Sequence, residues 1–465
     1  MSAPPYHRQH PLAMLRYIRR YLWLLLLPLG HGLQLWLQGS RPPAALLLPL
    51  LVFPLWGWLQ HTYAVTDDSL CIRRGLLLRR HTRIPLCHIT TLTVERPWHL
   101  RLLRAARVRI DTDAGSAYRA DRWLIVSRRA ATAFLSTPTE KPTVLCHPPM
   151  TYTLLFSLLA SNPLSGALLP ATALYRIGQL LGEGVQRALL DNLEAAAALV
   201  TLIPRTAAMI ALAVAAGWAV GVLRSLLRYL PFRVARYGNT LHVCTGSLTR
   251  RDHLCAVEAI HFIDYRQSLL TRLMRLHTVF IHCIGYGKGN HAMAVLLPAC
   301  PVACSASMLQ RLLPAYQPQP PTLRPRRWAI WRYAYPPLLA GALLLPAARA
   351  LARLLPQWQE LLTTLAIFAA IPCVWLLAVR IVDHRTAGAT CADGCFTLRY
   401  ARLFTFHTVA VPCDRVVATA LRQSPFQRLT HSCDLMLYTH DEKRLCHRIK
   451  SVPLSQAATL LAGKE

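Results

Sequence analysis

The chain has 465 residues, of which 54% are hydrophobic and only 16% are charged. Soluble domains have about 25% charged residues, so this composition argues against one large soluble core and favours a membrane protein. The formal net charge is +31, from 52 basic and 21 acidic residues. Such an excess suits an anionic partner, either nucleic acid or a membrane surface, and the hydrophobicity favours the membrane.

Apolar segments near the roughly 20 residues that a spanning helix needs occur in pairs. Six are found, at 21–38, 42–60, 152–182, 206–223, 334–351 and 361–379. Within 152–182, Pro163 and Pro170 interrupt the apolar run. The pattern predicts three two-helix transmembrane hairpins, at 21–60, 150–226 and 328–380.

Arginines set the predicted orientation of these hairpins, because they are more frequent at the flanks of each hairpin than at its tip. The flanking residues are Arg16, Arg19, Arg20, Arg224, Arg228, Arg233, Arg236, Arg324, Arg326, Arg327, Arg332, Arg380 and Arg385. Basic residues near the ends of spans favour the cytoplasmic side. The basic N-terminus, 1–20, and the polar segment after each hairpin are therefore predicted to face the cytoplasm.

The three polar segments, 61–141, 233–315 and 382–465, share a pattern. RQSLLTRLMRL at 266–276 and RQSPFQRLT at 422–430 match at five positions. A shift of 171 residues aligns the first segment with the second without gaps, and a shift of 327 aligns it with the third, with a one-residue slip upstream. A period this long indicates domain duplication. We therefore predict a hairpin plus a cytoplasmic domain, repeated three times.

Each polar segment has a pattern of strands followed by one helix. LCIRRGLLLRRHTRIPL contains two short strands about Gly75, which is a predicted turn. Further strands are predicted at 107–112, 278–283 and 434–439, and closing helices at 128–136, 307–313 and 454–462. The repeated phrase has apolar residues at helical spacing, so we expect one or two helical turns there. The segments are thus predicted to be small α+β domains.

These residues resemble the bacterial pleckstrin-homology-like (PH-like) domain. The similarity lies in VTDDSLCIRRGLLLRR from Val65, in Ile84-Pro85, and in SLLTRLMRLHTV from Ser268. Six membrane helices carrying three such domains are similar to the YdbT-type membrane proteins. The third unit departs from the pattern, because Ala401 falls near the turn glycine and Phe404-Thr405 replaces a basic pair.

The resemblance implies a fold class of membrane α-helical hairpins plus α+β domains. Each hairpin would be followed by a PH-like small β-barrel with a C-terminal helix, on the cytoplasmic side of the bacterial inner membrane. It also implies a smaller single-domain relative as a frequent companion. It supplies no catalytic mechanism.

All three polar segments are net basic. Lys and Arg outnumber Asp and Glu by 15 to 7 over 61–141, by 12 to 3 over 233–327 and by 11 to 6 over 385–465. Near an anionic inner leaflet each such charge contributes about 1 kcal/mol. The candidate membrane- or lipid-facing residues are Arg79, Arg80, Arg250, Arg251, Arg272 and Arg275. A solvated basic face and a specific phospholipid headgroup pocket are the alternatives.

Several residues recur whether or not the basic pair is present. They are Arg101, Arg272 and Arg428 in all three units, and Gln267, Ser268, Gln423 and Ser424 in two. We favour a structural role, in which each arginine braces the short helix through backbone carbonyls. The alternative is contact with headgroups or with a neighbouring unit.

Chemical motifs are lacking. GYGKG at 285–289 does not fit the phosphate-loop pattern, and neither H-E-x-x-H nor G-x-S-x-G occurs. Fourteen cysteines are present without a C-x-x-C pair, which favours buried reduced thiols over a metal or disulfide framework. We therefore predict no catalytic residue, no metal and no cofactor, and a protein that is not an enzyme.

The predicted function is an integral inner-membrane protein that presents three PH-like domains as a lipid- or protein-binding scaffold, in envelope maintenance or stress. The alternative is a transport or export component whose six helices form a path gated or assembled by those domains. Predicted partners are anionic lipids of the inner leaflet and the smaller relative, and homo-oligomerisation is left open. Nucleic acid is not a predicted partner, because few aromatic residues interleave the basic runs.

Overall fold

Short alternating segments punctuated by glycine and proline form the twenty strands of the described residues. The computed structural model describes residues 6–14, 48–66, 68–75, 79–112, 122–135, 142–160, 205–283, 295–439 and 445–462. The strands are β1 His7–Arg8, β2 Thr62–Val65, β3 Ser69–Arg74, β4 Arg80–Pro85, β5 Ile89–Pro97, β6 Ala105–Thr112, β7 Arg122–Ser127, β8 Val144–Cys146, β9 Arg233–Tyr237, β10 Thr240–Thr245, β11 Thr249–Ala256, β12 Ile260–Ser268, β13 Leu276–Cys283, β14 Val295–Pro301, β15 Gly388–Ala392, β16 Cys395–Arg402, β17 Thr405–Pro412, β18 Val416–Arg422, β19 Ser432–Thr439 and β20 Leu445–Pro453.

Helices lie between and after these strands. They are α1 Leu48–Gln60, α2 Trp98–Leu102, α3 Arg128–Phe134, α4 Met150–Ala160, α5 Arg205–Tyr229, α6 Leu269–Leu273, α7 Val302–Leu312, α8 Ile330–Leu354, α9 Gln359–Thr386, α10 Pro425–Leu429 and α11 Leu454–Ala462. The short helices α2, α6 and α10 occupy the repeated phrase. The helices α3, α7 and α11 follow the last strand of each repeat, where closing helices were predicted.

The chain forms two units that do not coincide with the three repeats. The first unit contains 1–145, 234–259 and 283–292, and the second contains 146–233, 260–282 and 293–465. The second repeat is therefore divided. Its strands β9–β11 belong mostly to the first unit, and β12–β14 belong mostly to the second.

In the first unit, two antiparallel sheets enclose a core. One has the strand order β1-β2-β3-β4 and the other β7-β6-β5-β11-β10-β9-β8. Buried Leu70 and Ile72 from the smaller sheet pack with Val108 and Leu124 from the larger sheet, and Ala131 of α3 joins this core. The first repeat is thus a two-sheet α+β domain closed by its last helix.

The second unit repeats this arrangement for the third repeat. Its sheets have the orders β14-β13-β12-β17-β16-β15 and β18-β19-β20. Phe396 and Val409 of the larger sheet pack with Leu435 and Ile449 of the smaller sheet and with Ala457 of α11. These residues are all 1% exposed or less, so burial of apolar strand faces holds the domain together.

The one-residue slip in the third repeat arises in a hairpin turn. Three residues, 246–248, join β10 to β11, whereas only Leu403 and Phe404 join β16 to β17. Gly246 has a positive φ of 89°, and in the shorter turn Leu403 has a φ of 50°. The residue that replaces the turn glycine is therefore Leu403, and Ala401 lies within β16.

The prediction of three transmembrane hairpins is wrong. The described part of the chain contains two helices that are long and apolar enough to cross a membrane, at Arg327–Leu354 and Pro356–Thr386. They contain α8 and α9 and correspond to the third predicted hairpin. Only 11% of each apolar window is buried, which is unlike the core helix of a soluble domain. The rest of the described chain is mostly β-sheet domains.

The described residues of the first two predicted hairpins are helical, but none of their helices qualifies as a candidate span. In the first two predicted hairpins, the described residues form α1 over Leu48–Gln60 and α4 over Met150–Ala160, and each of these helices borders residues outside the described part of the chain. Helix α5 has 25 residues and ends with Arg224 and Arg228 in its last turns. The parts of these hairpins at 15–47 and 161–204 lie outside the described residues.

Candidate functional site

A cavity of about 540 Å³ lies in the second unit, within the size range of small-molecule sites. It is formed where the turn after α6, the first turn of α7 and the end of α9 meet β16 and β17. Its lining residues are Tyr265, Gln267, Arg272, Arg275, His277, Val302, Ser305, Ala306, Pro318, Pro321, Arg324, Arg385, Thr386, Arg399, Tyr400, Phe406, His407 and Thr408.

Five arginines from four parts of the chain make the cavity basic. They are Arg272, Arg275, Arg324, Arg385 and Arg399. No Asp or Glu is among the described residues that line it. The cavity is therefore strongly basic, and the ligand chemistry that fits it is anionic.

Local backbone structure places two of these arginines. Ser268 caps α6 in a reciprocal capping box with Thr271, so the helix begins at Leu269. After the helix, Arg275 takes a left-handed conformation with a φ of 53°. Its carbonyl accepts a hydrogen bond from the backbone N–H of Val302 at 3.1 Å, where α7 begins. The positive end of the α7 dipole thus lies at the cavity wall, which also favours an anion.

The guanidinium groups of Arg272 and Arg399 are held by neutral groups. Arg272 Nη1 donates to Thr386 Oγ1 at 3.4 Å, and its guanidinium carbon lies 4.8 Å from the centre of the Phe406 ring. Arg399 Nη2 donates to the Gln319 carbonyl at 3.4 Å. These contacts orient both cations. Within the described residues, the hydrogen bonds of these two guanidinium groups go to neutral oxygens and not to a carboxylate.

Burial and mutual repulsion act on this cluster. The pKa of Arg399 is lowered by burial and then by the nearby charges of Arg272 and Arg324. The pKa of Arg272 is also lowered by burial, with Asp383 opposing the shift. The Nε atom of Arg399 is buried and has no hydrogen-bond partner in the described residues. A bound anion would relieve both the repulsion and the unmet donor.

His277 contributes little positive charge to the cavity at neutral pH. Burial, followed by Arg399 and Arg272, lowers the pKa of His277 to about 4, so it is neutral at pH 7. His407 Nδ1 lies 2.9 Å from the carboxylate of Asp264, which also accepts from Arg266 Nε at 2.6 Å. Burial alone would raise the pKa of Asp264, but these partners hold it well below its usual value. The cavity charge therefore comes from arginine.

The cavity adjoins one of the two candidate membrane spans. Arg385 and Thr386 are the last two residues of α9, and both line the cavity. The segment 314–327 between α7 and α8 contributes Pro318, Pro321 and Arg324. The basic cavity thus lies where an apolar helix gives way to a polar domain.

The structure separates the six predicted membrane-facing arginines. Arg272 and Arg275 line the cavity, whereas the other four lie in the first unit. Arg79 and Arg80 are exposed at the start of β4. Arg250 is 56% exposed, but Arg251 is 15% exposed and its Nε lies 3.7 Å from Glu95. The basic pair of the second repeat therefore contacts carboxylates of its own sheet, because Arg250 also lies near Asp252.

The recurring glutamines and serines make equivalent contacts, whereas the recurring arginines do not. Gln267 and Gln423 donate to the backbone carbonyls of Leu276 and Ser432 at 2.8 and 2.9 Å. Ser424 caps α10 as Ser268 caps α6. Arg101 Nη1 donates to the Ser247 carbonyl at 3.0 Å, in the hairpin turn of the following repeat, and Arg428 is exposed.

Sequence reasoning missed four residues of the cavity. Arg324 and Arg385 were noted only as topology signals beside the third hairpin. Arg399 and His277 lie within β16 and β13, and neither is part of a repeated motif. The position of Arg324 and Arg385 beside α8 and α9 is the one sequence signal that could have drawn attention to them. Arg399 and His277 reach the cavity only through tertiary folding.

A second cluster lies in the first unit, although no metal site was predicted. His242, Cys244 and Asp252 bring three potential ligand atoms within 4.8 Å of one another. Arg96 and Arg250 lie 3.4 and 3.5 Å from the same Asp252 carboxylate. Burial and the Asp252 contact raise the pKa of the Cys244 thiol to about 12, which keeps it protonated. The cluster is a hydrogen-bonded ion network between β10 and β11.

A protein-family model described as bacterial PH domain matches the chain three times, at residues 17–138, 189–314 and 340–463. Each match covers one predicted repeat together with part of the apolar segment before it. No curated protein and no solved structure gives a significant match.

Proposed function

Because the chain belongs to the bacterial PH domain family, we propose that it is a membrane-anchored scaffold whose second unit binds a phosphate-bearing lipid headgroup. The basic cavity carries the proposal. Five arginines line it without a carboxylate, and two of its lining residues end α9. A lipid phosphate offers the oxygens that guanidinium groups and the start of α7 can hydrogen-bond.

The placement proposed is in the bacterial inner membrane, with α8 and α9 crossing as one hairpin and the PH-like domains in the cytoplasm. Arginines at both polar ends of this hairpin, including Arg332 and Arg380, support that orientation. The anionic inner leaflet would then lie against the cavity. A binding role, with no catalysis, in envelope maintenance or stress is proposed for the cell. The YdbT type and the smaller companion stay predictions.

Binding of short-chain lipids to the detergent-solubilised full chain tests the proposal. We expect dihexanoyl phosphatidylglycerol to bind more tightly than dihexanoyl phosphatidylcholine in calorimetric titrations. Arg399→Gln should weaken that binding by roughly tenfold, because a charged hydrogen bond contributes about 1.5–3 kcal/mol. Arg311→Gln removes an exposed arginine of α7 outside the cavity and is the matched control.

Three results would contradict the proposal. Equal affinity for the two lipids would remove the role of charge. Unchanged affinity in folded Arg399→Gln would place binding elsewhere. Inorganic phosphate that binds as tightly as the phosphatidylglycerol would make the cavity a site for free anions.

A further inference from the structure

The repeats of this chain are joined by strand pairing across repeat boundaries. In the first unit, β5 of the first repeat pairs antiparallel with β11 of the second. In the second unit, β12 of the second repeat pairs antiparallel with β17 of the third. In both junctions, the first strand of a repeat's second sheet meets the last strand of the next repeat's first sheet.

Both junctions use the same register. In the first, Val94 is opposite Asp252. The shift of 171 residues takes Val94 to Tyr265, and the difference between the shifts of 327 and 171 takes Asp252 to Thr408. These two residues are opposite each other in the second junction. Two independent pairs of strands with one register indicate a reproducible mode of association between successive repeats.

Within the described part of the chain, one strand of each kind lies at the edge of its sheet. Strand β4 corresponds to β11 and β17, and it forms the edge of its sheet next to β3. Strand β18 corresponds to β5 and β12, and it forms the edge next to β19. Within the described residues, neither strand pairs on its outer side.

The two edges are also exposed. In β4, Arg80, His81 and Arg83 are exposed, whereas Asp252, the equivalent of His81, is 1% exposed in its junction. In β18, Val417 is 61% exposed. Unpaired backbone N–H and C=O groups on such edges are templates for another strand.

We propose that copies of this chain associate head to tail, with β18 of one copy pairing antiparallel with β4 of the next. The occupant is a second copy because each chain presents one strand of each class and already joins these classes twice. The shared register predicts three opposed pairs between copies, Thr82 with Ala420, Arg80 with Arg422, and Ile84 with Ala418.

Charge makes this third junction weaker than the two internal ones. The Arg80–Arg422 position is occupied by Arg251 opposite Glu95 in the first junction, with 3.7 Å between the charged groups. In the second junction, His407 is opposite Arg266, and Asp264 contacts both. Asp434, opposite Arg422 on β19, is already paired with Arg332 and Arg448. Arg80 and Arg422 therefore repel each other, so association between copies should strengthen with salt.

A charge cycle tests the predicted register. Arg422→Glu alone and Arg80→Glu alone each create an opposite-charge pair, and we expect each to tighten association by roughly fivefold. The double variant again opposes like charges and should fall back towards the wild type. Arg311→Glu changes the net charge equally on α7 and should have no effect. Association is measured by sedimentation of the detergent-solubilised full chain over a concentration series.

Proline variants provide a second, independent measurement. Successive backbone N–H groups of an antiparallel strand point to opposite sides, so either Thr419→Pro or Ala420→Pro removes an outward donor and keeps the bonds to β19. Of these two proline variants, the one that retains the circular dichroism spectrum and thermal unfolding of the wild type should associate more weakly than the wild type.

Each other outcome overturns the proposal. One such outcome is that the wild type and both single charge variants stay monomeric. Another is that the double variant associates most strongly, as a general reduction of net charge would cause. Association unaffected by the folded proline variant would place the contact elsewhere. A different protein that copurifies in fixed ratio, and is lost in the proline variant, would make another chain the occupant.

Discussion

Burial and fixed neighbours decide the charge states of individual residues in both units. His253 is fully enclosed in β11, where it exchanges a 2.9 Å hydrogen bond with Thr93 of β5. Burial, followed by Arg251 and Arg109, lowers its pKa from 6.5 to about 3. Neutral histidine and charged arginine therefore coexist along one strand, which residue type alone does not show.

This histidine makes stability depend on pH. Since the folded-state pKa lies below the unfolded value of 6.5, the unfolded chain binds the proton first, and stability is lost as pH falls from about 6.5 towards 3. Between pH 7 and 5 the loss is roughly 2 kcal/mol from His253. His253→Asn keeps the hydrogen bond to Thr93 and should flatten this dependence in urea unfolding of the full chain. An unchanged pH dependence would mean that the pKa of His253 is the same in the folded and the unfolded chain.

At the scale of elements, the short helices α6 and α10 depend on their caps more than on their length. Five residues are too few for a stable isolated helix. Ser268 and Ser424 each accept a backbone hydrogen bond from the third residue of the helix, and the side chain of that residue accepts one in return. The serines that recur in the repeated phrase therefore have a local structural role.

Removal of a cap should loosen the turn locally. Ser268→Ala should cost about 1 kcal/mol, so amide hydrogen exchange of residues 269–276 should accelerate roughly fivefold. Ser424→Ala should have the same effect at α10. Ser307→Ala in α7, an exposed serine away from a helix start, is the control. Faster exchange in the control, or none in the cap variants, would contradict the role.

In the whole molecule, two apolar helices differ from the β-sheet domains because their outer faces expose large apolar side chains. Exposed residues such as Leu343, Ile371 and Val374 cover the outer faces of α8 and α9. A large apolar surface of this kind requires lipid or a partner. Apolar length, flanking arginine and exposure therefore all support the proposed membrane hairpin.

Tags on each side of the hairpin test its orientation. A tag inserted after Pro356, between α8 and α9, should be labelled by an impermeant reagent in intact spheroplasts. A tag at the C-terminus should be labelled only after permeabilisation. Labelling of both tags in intact cells, or of neither after permeabilisation of the outer envelope alone, would contradict the topology.

Sequence pattern alone predicted the triplication, several of the strands, the short helices and the family, because each of these depends on local pattern or on self-similarity. It predicted Arg272 and Arg275 as membrane- or lipid-facing residues, which stays a prediction, and the structure places both at the wall of the basic cavity. It overestimated the membrane part, because three hairpins were predicted and the described residues contain two helices that are long and apolar enough to span.

Only the tertiary structure decided how repeats join and where the cavity forms. The pairs β5–β11 and β12–β17 connect residues more than 130 positions apart through backbone hydrogen bonds, which carry no side-chain signature. Arg272, Arg324 and Arg399 converge from a turn, a linker and a strand. Edge pairing and convergence of this kind depend on distance in space, whereas sequence pattern records only distance along the chain.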